Sequence, residues 1–342
     1  MVDRLIMTTD NLAAFDGLTD SYNRRIDYLR ISITDRCNLK CIYCMPEKGL
    51  KHFKQSEILT TAEIIRIVRI ACKYGVRKVR LTGGEPLLRN DIVQLLSGIK
   101  SAGIQDLSIT TNAQRLAGMA KALKKAGLDR VNISLDTLLE DRYRDITRGG
   151  EIDLVWEAIA EAERAGLSPV KINVVPVRGV NDDEISAFAS MTLKKDVHIR
   201  FIEFMPIGNN GAWKPDAYLS KDEIMARVTS AGKLIRLPFK GGGPSRNYRI
   251  EGAAGMIGFI SAISNCFCSS CNRLRLTAIG KLRPCLFSEI TVDLKTPLRN
   301  GASDEELEAL YRSAVLSKPA SHTLRDGSLG HPSLSPMSQI GG

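Results

Sequence analysis

Six of the eight cysteines in this 342-residue chain fall into two triads, Cys37-x3-Cys41-x2-Cys44 and Cys268-x2-Cys271-x13-Cys285. Thiolates so grouped hold soft metal centres, and iron–sulfur clusters and structural zinc take four protein ligands when the site is closed. Each triad is one ligand short, so each predicts a coordination position left open to a small molecule. Two such sites in one chain predict an enzyme. The plainer alternatives are a zinc knuckle at the front and, at the rear, a four-sulfur zinc site completed by Cys266. Cys72 falls on an apolar helix face and reads as core. His52, His198, His322 and His331 have no metal-ligand spacing and receive no role.

The elements that must carry these residues alternate along the chain. Short β-branched stretches at 29–34, 78–82, 107–111, 130–135, 170–175 and 198–204 read as strands. Amphipathic stretches separate them. In Thr61–Tyr74 the apolar Ile64, Ile65, Val68, Ala71 and Cys72 share one helix face. Gly75, Gly103, Gly127 and Gly166 stand in helix-stop positions. Alternating βα units predict a parallel sheet with right-handed crossovers, and six in a row predict an α/β fold built on an incomplete (βα)6-type TIM barrel. Barrel chemistry gathers where strands end, and the front triad follows the first strand directly. After Pro206 the rhythm changes. A helix is expected over 220–231, short strands over 245–250 and 256–260, and a late helix over 304–315. By composition the Ser-, Pro- and Gly-rich stretch 318–342 reads as a disordered tail.

The whole-chain numbers limit the partners. A net charge of +10 predicts affinity for anions, and with no long basic tract it suits a polyphosphate small molecule as well as nucleic acid. No stretch reads as a membrane span and the N-terminus has no signal pattern, so a reducing cytoplasm is expected, where clustered cysteines are metal ligands more often than disulfides.

The residues around the front triad are more specific. Asp35-Arg36-Cys37-Asn38-Leu39-Lys40-Cys41-Ile42-Tyr43-Cys44-Met45-Pro46 resembles the cluster loop of the radical S-adenosylmethionine (SAM) superfamily. Thr82-Gly83-Gly84-Glu85-Pro86 is similar to that superfamily's motif for the methionine end of the cofactor. The resemblance implies a 4Fe–4S cluster on Cys37, Cys41 and Cys44, with SAM contacts at Tyr43, Gly84, Ser134 and Met205. At the rear, Phe267-Cys268-Ser269-Ser270-Cys271-Asn272-Arg273-Leu274-Arg275-Leu276-Thr277 and Lys281-Leu282-Arg283-Pro284-Cys285-Leu286 resemble the molybdenum-cofactor cyclase family. This likeness runs from about Tyr28 to Gly342. It implies a second 4Fe–4S cluster on Cys268, Cys271 and Cys285 whose open iron takes the guanine of GTP.

The same resemblance implies GTP contacts at Arg30, Arg80, Thr110, Lys171, Arg273, Leu274 and Arg275, with Arg200 and Lys78 as weaker cases. Arg273, Arg275 and the terminal pair Gly341 and Gly342, in a tail that inserts into the active site, are the implied catalytic residues. The implied reaction is radical cyclisation of GTP to (8S)-3′,8-cyclo-7,8-dihydroguanosine 5′-triphosphate, the first step of molybdopterin synthesis, starting with hydrogen abstraction at C3′. The partners would be GTP, a reductant of unstated identity and the next enzyme, cyclic pyranopterin monophosphate synthase. Nucleic acid and membrane are not expected, and the assembly is a monomer or homodimer. Residues 1–27 are expected as an extension, 28–219 as the partial barrel and 220–342 as a C-terminal α+β domain that closes its open side.

Two departures stand out: Cys266 replaces a common proline beside the rear triad, and Ile279 replaces a common aspartate. Two rival readings remain. One keeps the radical chemistry with a peptide as substrate; the other is a non-catalytic zinc protein that binds nucleic acid.

Overall fold

The computed structural model describes residues 17–208, 213–239, 243–322 and 335–340. Six strands lie side by side in chain order and all run parallel: β1 (Tyr28–Ser32), β2 (Lys78–Thr82), β3 (Asp106–Thr111), β4 (Arg130–Ser134), β5 (Lys171–Val174) and β6 (His198–Ile202). Helices α1 (Thr61–Lys73), α2 (Ile92–Ser101), α3 (Ala120–Lys125), α4 (Glu140–Thr147), α5 (Ile152–Arg164) and α6 (Ile185–Lys194) return the chain between them. The expected strands agree with these except at their ends. The four predicted helix-stop glycines all take positive φ, from 71° at Gly166 to 102° at Gly103.

The strands share one pattern, polar and apolar residues in strict alternation. The apolar set, such as Leu29 and Ile31 on β1, Val79 and Leu81 on β2, and Ile109 on β3, is fully buried under the helices. Each such side chain contributes about 1.5–3 kcal/mol by leaving water. Their local starts are written in sequence as well. Thr60 caps α1 and closes a reciprocal pair with Glu63, so two otherwise unsatisfied amides of the first turn find acceptors.

The C-terminal half supplies α7 (Lys221–Val228), β7 (Leu234–Arg236), β8 (Arg246–Ile250), β9 (Met256–Ile260), β10 (Arg273–Leu276), β11 (Lys281–Arg283), β12 (Val292–Asp293), α8 (Lys295–Arg299), α9 (Asp304–Leu316) and α10 (Met337–Ile340). Of these, β9 pairs parallel with β6 and β10 parallel with β1. The sheet therefore reads β12-β11-β10-β1-β2-β3-β4-β5-β6-β9-β8-β7 and stops at both ends, which makes the barrel incomplete. Late residues complete both edges of the early strands.

Residues at the front pack onto this frame. Leu18 donates its amide to Tyr74 O at 3.0 Å, and Ile26 is buried. Part of the tail read as disordered by composition is ordered: Ser338 and Ile340 are buried, and Ser32 Oγ donates to Ser338 O at 3.1 Å. Gly341 and Gly342 lie outside the described residues.

Candidate active site

The front triad occupies the loop that leaves β1. Cys44 and Met45 both donate their amides to Cys41 O, turning the chain tightly between the last two cysteines. Helix α4 steadies the loop from outside, where Lys40 and Ile42 donate to Thr147 O and Ile146 O. Arg148, in left-handed backbone just after α4, donates to Lys40 O and Met45 O, both at 3.0 Å. Asn112, beyond β3, offers an N–H to Cys37 Sγ at 3.8 Å. Burial raises all three thiols, Cys37 to about 11 and Cys44 to about 12. They stay protonated at neutral pH until a metal replaces the protons.

The glycine pair after β2 explains how this loop is held. Gly84 donates its amide to Thr34 O and Glu85 to Arg36 O, each at 2.8 Å, extending the β1–β2 ladder into the cysteine loop. A β-carbon on Gly83 would lie 2.3 Å from Thr34 O, and one on Gly84 would lie 2.2 Å from Arg36 O. Only glycine allows that approach.

The rear triad is gathered by a hairpin. Cys271 precedes β10 and Cys285 follows β11, and the antiparallel pairing of Arg275 with Arg283 returns the chain to the end from which it set out. Two buried cations fasten the site. Lys318 donates to Arg273 O at 2.9 Å and Pro284 O at 2.7 Å, tying the hairpin's two ends. Arg24, paired with Asp20 at 2.6 Å, donates to Cys268 O and to Pro319 O and Ala320 O. Burial pushes the Cys271 thiol up, but the charges of Arg273 and Lys318 outweigh it and bring the thiol down to about 6.

A cavity of about 500 Å³ lies inside the barrel with the rear triad on its wall. The polar half of each strand faces it. Nine Lys and Arg side chains line it against two carboxylates, Asp106 and Asp136. Strand register sets some of these cations side by side, Arg80 and Arg275 flanking Arg30 on neighbouring strands. Burial and the neighbouring positive charges depress them together, Lys171 to about 7, Arg200 to about 9 and Arg275 to about 10. Arg30 falls well below its usual range for the same reasons, and its Nε, like Thr110 Oγ1 and Tyr28 Oη, has no hydrogen-bond partner. So many crowded cations with unused donors are matched by a polyanion.

Among the sequence-predicted residues, Arg30, Arg80, Thr110, Lys171, Arg273 and Arg275 all line this cavity, as do Arg200 and Lys78. Tyr43, Ser134 and Met205 line it too, with Tyr43 donating to Asp136 at 2.5 Å. Cys268, Cys271 and Cys285 sit on its wall, and Met337 of the tail reaches it. Two expected contacts sit elsewhere: Leu274 buries its side chain in the helix-covered core, and Gly84 packs against Arg36. Sequence reasoning passed over Tyr28, Arg130, Asn132, Asn173 and His198, although each holds an inward position of the strand alternation. It also missed Arg24, Lys318 and His322, which carry no local signal.

The donor spacing tests what the triads suit. Among the described residues, Cys266, Cys268 and His322 form the group whose donor atoms lie within 4.8 Å of one another; neither triad is that tight. Wider-set thiols suit a cluster, in which each thiolate takes a different iron. Both triads fit iron–sulfur clusters on that ground.

Barrel and cysteine loop together define a radical SAM protein, and the profile of the Radical SAM superfamily matches residues 31–192. That of Molybdenum Cofactor Synthesis C matches residues 197–324. Among solved structures, SuiB of Streptococcus suis bound to S-adenosylmethionine shares the fold with a TM-score of 0.55 at 16% identity, covering 83% of this chain and 68% of that one. Methylornithine synthase PylB does so with a TM-score of 0.50 at 18% identity, over 84% of this chain and 86% of that one. Closer in sequence, the GTP 3′,8-cyclase of Pelotomaculum thermopropionicum is 50% identical over 331 residues, 95% of this chain and all of the relative. That of Heliobacterium modesticaldum is 51% identical over 329 residues with the same coverage. The chain belongs to the GTP 3′,8-cyclase family. Membership brings S-adenosylmethionine and iron–sulfur chemistry to this site. No helix among the described residues is long and apolar enough to cross a membrane.

Proposed function

We propose that the chain cyclises GTP to (8S)-3′,8-cyclo-7,8-dihydroguanosine 5′-triphosphate, a lyase reaction that opens molybdopterin biosynthesis. One observation carries the reading: a cation-crowded cavity of about 500 Å³ with the rear cysteine triad on its wall. Triphosphate and guanine then have separate seats in one space.

Two clusters are assigned, one to Cys37, Cys41 and Cys44 and one to Cys268, Cys271 and Cys285. When bound, the front cluster and S-adenosylmethionine supply the one-electron chemistry that lets C3′ of the ribose join C8 of the base. The remaining roles belong to the chain. Tyr43, Gly84, Ser134 and Met205 seat S-adenosylmethionine, Gly84 through its backbone. Arg30, Arg80, Thr110 and Lys171 hold the triphosphate with charge-assisted hydrogen bonds. Leu274 contributes backbone only. Arg273 stacks on Phe267 at 4.7 Å and draws down the Cys271 thiol, so with Arg275 it keeps the guanine seat positive during the reaction. Gly341 and Gly342 are assigned a catalytic role on the family resemblance.

The reductant comes from outside the chain, and the product passes to cyclic pyranopterin monophosphate synthase. We assign a cytoplasmic monomer or homodimer, a barrel over 28–219 and a C-terminal domain over 220–342, following an extension over 1–27. The deciding experiment is 5′-deoxyadenosine release by anaerobically reconstituted, reduced protein with and without GTP. Strong dependence on GTP, abolished by Cys41→Ala, is expected. Release indifferent to GTP would overturn the substrate, and none from cluster-loaded protein would overturn the enzyme.

A further inference from the structure

Cys266 and His322 take no part in either triad, yet with Cys268 they make the tightest donor group among the described residues, within 4.8 Å of one another. Donors on one zinc ion stand roughly 3.3–3.8 Å apart, given metal–ligand distances of about 2.0–2.3 Å in a tetrahedron. The group needs only a small contraction to embrace a single ion, whereas the triads are too wide. His322 is oriented for the task. Its Nε2 contacts Ala262 O at 2.7 Å, and because a carbonyl only accepts, Nε2 carries the proton and Nδ1 is the ring nitrogen able to ligate. A backbone carbonyl behind the ring is the support that metal-ligating histidines use. Phe287 packs on the ring at 4.8 Å and fixes its tilt. Cys266, Cys268 and His322 all line the cavity.

We propose that Cys266, Cys268 and His322 form a site for one soft divalent ion, zinc above all, that shares Cys268 with the rear triad. Binding releases the two thiol protons and leaves one position for water. A thiolate committed to this ion is withdrawn from the cluster, so zinc and the rear cluster exclude one another. That exclusion rests on the cluster assignment above; the ion site itself does not. The consequence is a zinc-held form of the chain that cannot assemble the rear cluster.

The test is cobalt titration of the cluster-free full chain, read by the thiolate-to-cobalt and ligand-field absorption of a tetrahedral ion. Cys266→Ser and His322→Gln should each weaken the rear component by more than about 100-fold, beyond the loss of an outer hydrogen bond. Cys285→Ser should leave it intact, and the front triad contributes equally to all. Loss in Cys285→Ser with retention in Cys266→Ser and His322→Gln would overturn the proposal. Iron–sulfide reconstitution supplies the second readout. Zinc-loaded protein should take up less iron, by one cluster's worth, and Cys266→Ser should restore full uptake in the presence of zinc. Equal uptake with and without zinc would overturn the exclusion. If zinc-free protein loads only the front cluster while the cobalt pattern holds, the cluster assignment fails and the ion site stands.

Discussion

Arg30 is a half-buried cation flanked on adjoining strands by Arg80 and Arg275, with an unused, buried Nε. In the ligand-free protein it is a liability held for the ligand's sake. Arg30→Met should stabilise the empty protein by about 1–4 kcal/mol while weakening GTP binding tenfold or more. A thermal melt and a titration check both halves, and a lower melting temperature would make Arg30 a structural prop. Lys171 gives the pH test. Its pKa near 7 leaves it largely neutral at pH 8, and a bound polyphosphate favours the ammonium. GTP binding should therefore take up a proton at pH 8, fading by pH 6, where Lys171 is already charged. Calorimetry in buffers of different ionisation heat measures this, and Lys171→Met should abolish it. These residues were named through the family resemblance, although a physical signal also stood in the strands, since a parallel strand buried on both faces normally runs apolar throughout. Lys-Val-Arg-Leu-Thr and Arg-Val-Asn-Ile-Ser instead alternate, which marks a wet interior. Lys318 and Arg24 were illegible, since backbone carbonyls distant in sequence decide their role.

At the scale of elements, the loops after β1 and β2 behave as one unit. Gly84→Ala would drive a β-carbon into Arg36 O, a backbone atom that cannot step aside without moving Cys37. Iron content should fall by about the front cluster's share, with the far-UV spectrum unchanged. Full iron loading would separate the glycine loop from cluster retention. The elements themselves were readable from periodicity, caps and glycine stops. The short final helix α10 was not, because its order comes from burial of Ser338 and Ile340 against the frame and from the bond to Ser32 rather than from helix propensity. In the sequence the x13 interval at the rear is only a spacing. It is the length of a walk out along β10 and back along β11.

For the whole molecule, the pairing of β10 with β1 and β9 with β6 means that the early strands lack both outer neighbours without the later residues. A fragment of residues 28–219 should aggregate or self-associate through its bare edges, and size-exclusion chromatography would show it. A monodisperse fragment would make the two halves independent folding units. The same pairing orders events during synthesis. β1 is made first and waits for residues 273–276 before its outer edge is covered, a delay of roughly ten seconds to a minute at ordinary translation rates. For most of that interval the front cysteines are already outside the ribosome, while the rear site does not yet exist. On the proposed assignment of two clusters, metal delivery to the front loop is free to begin on a nascent chain, whereas delivery to the rear must await a finished one.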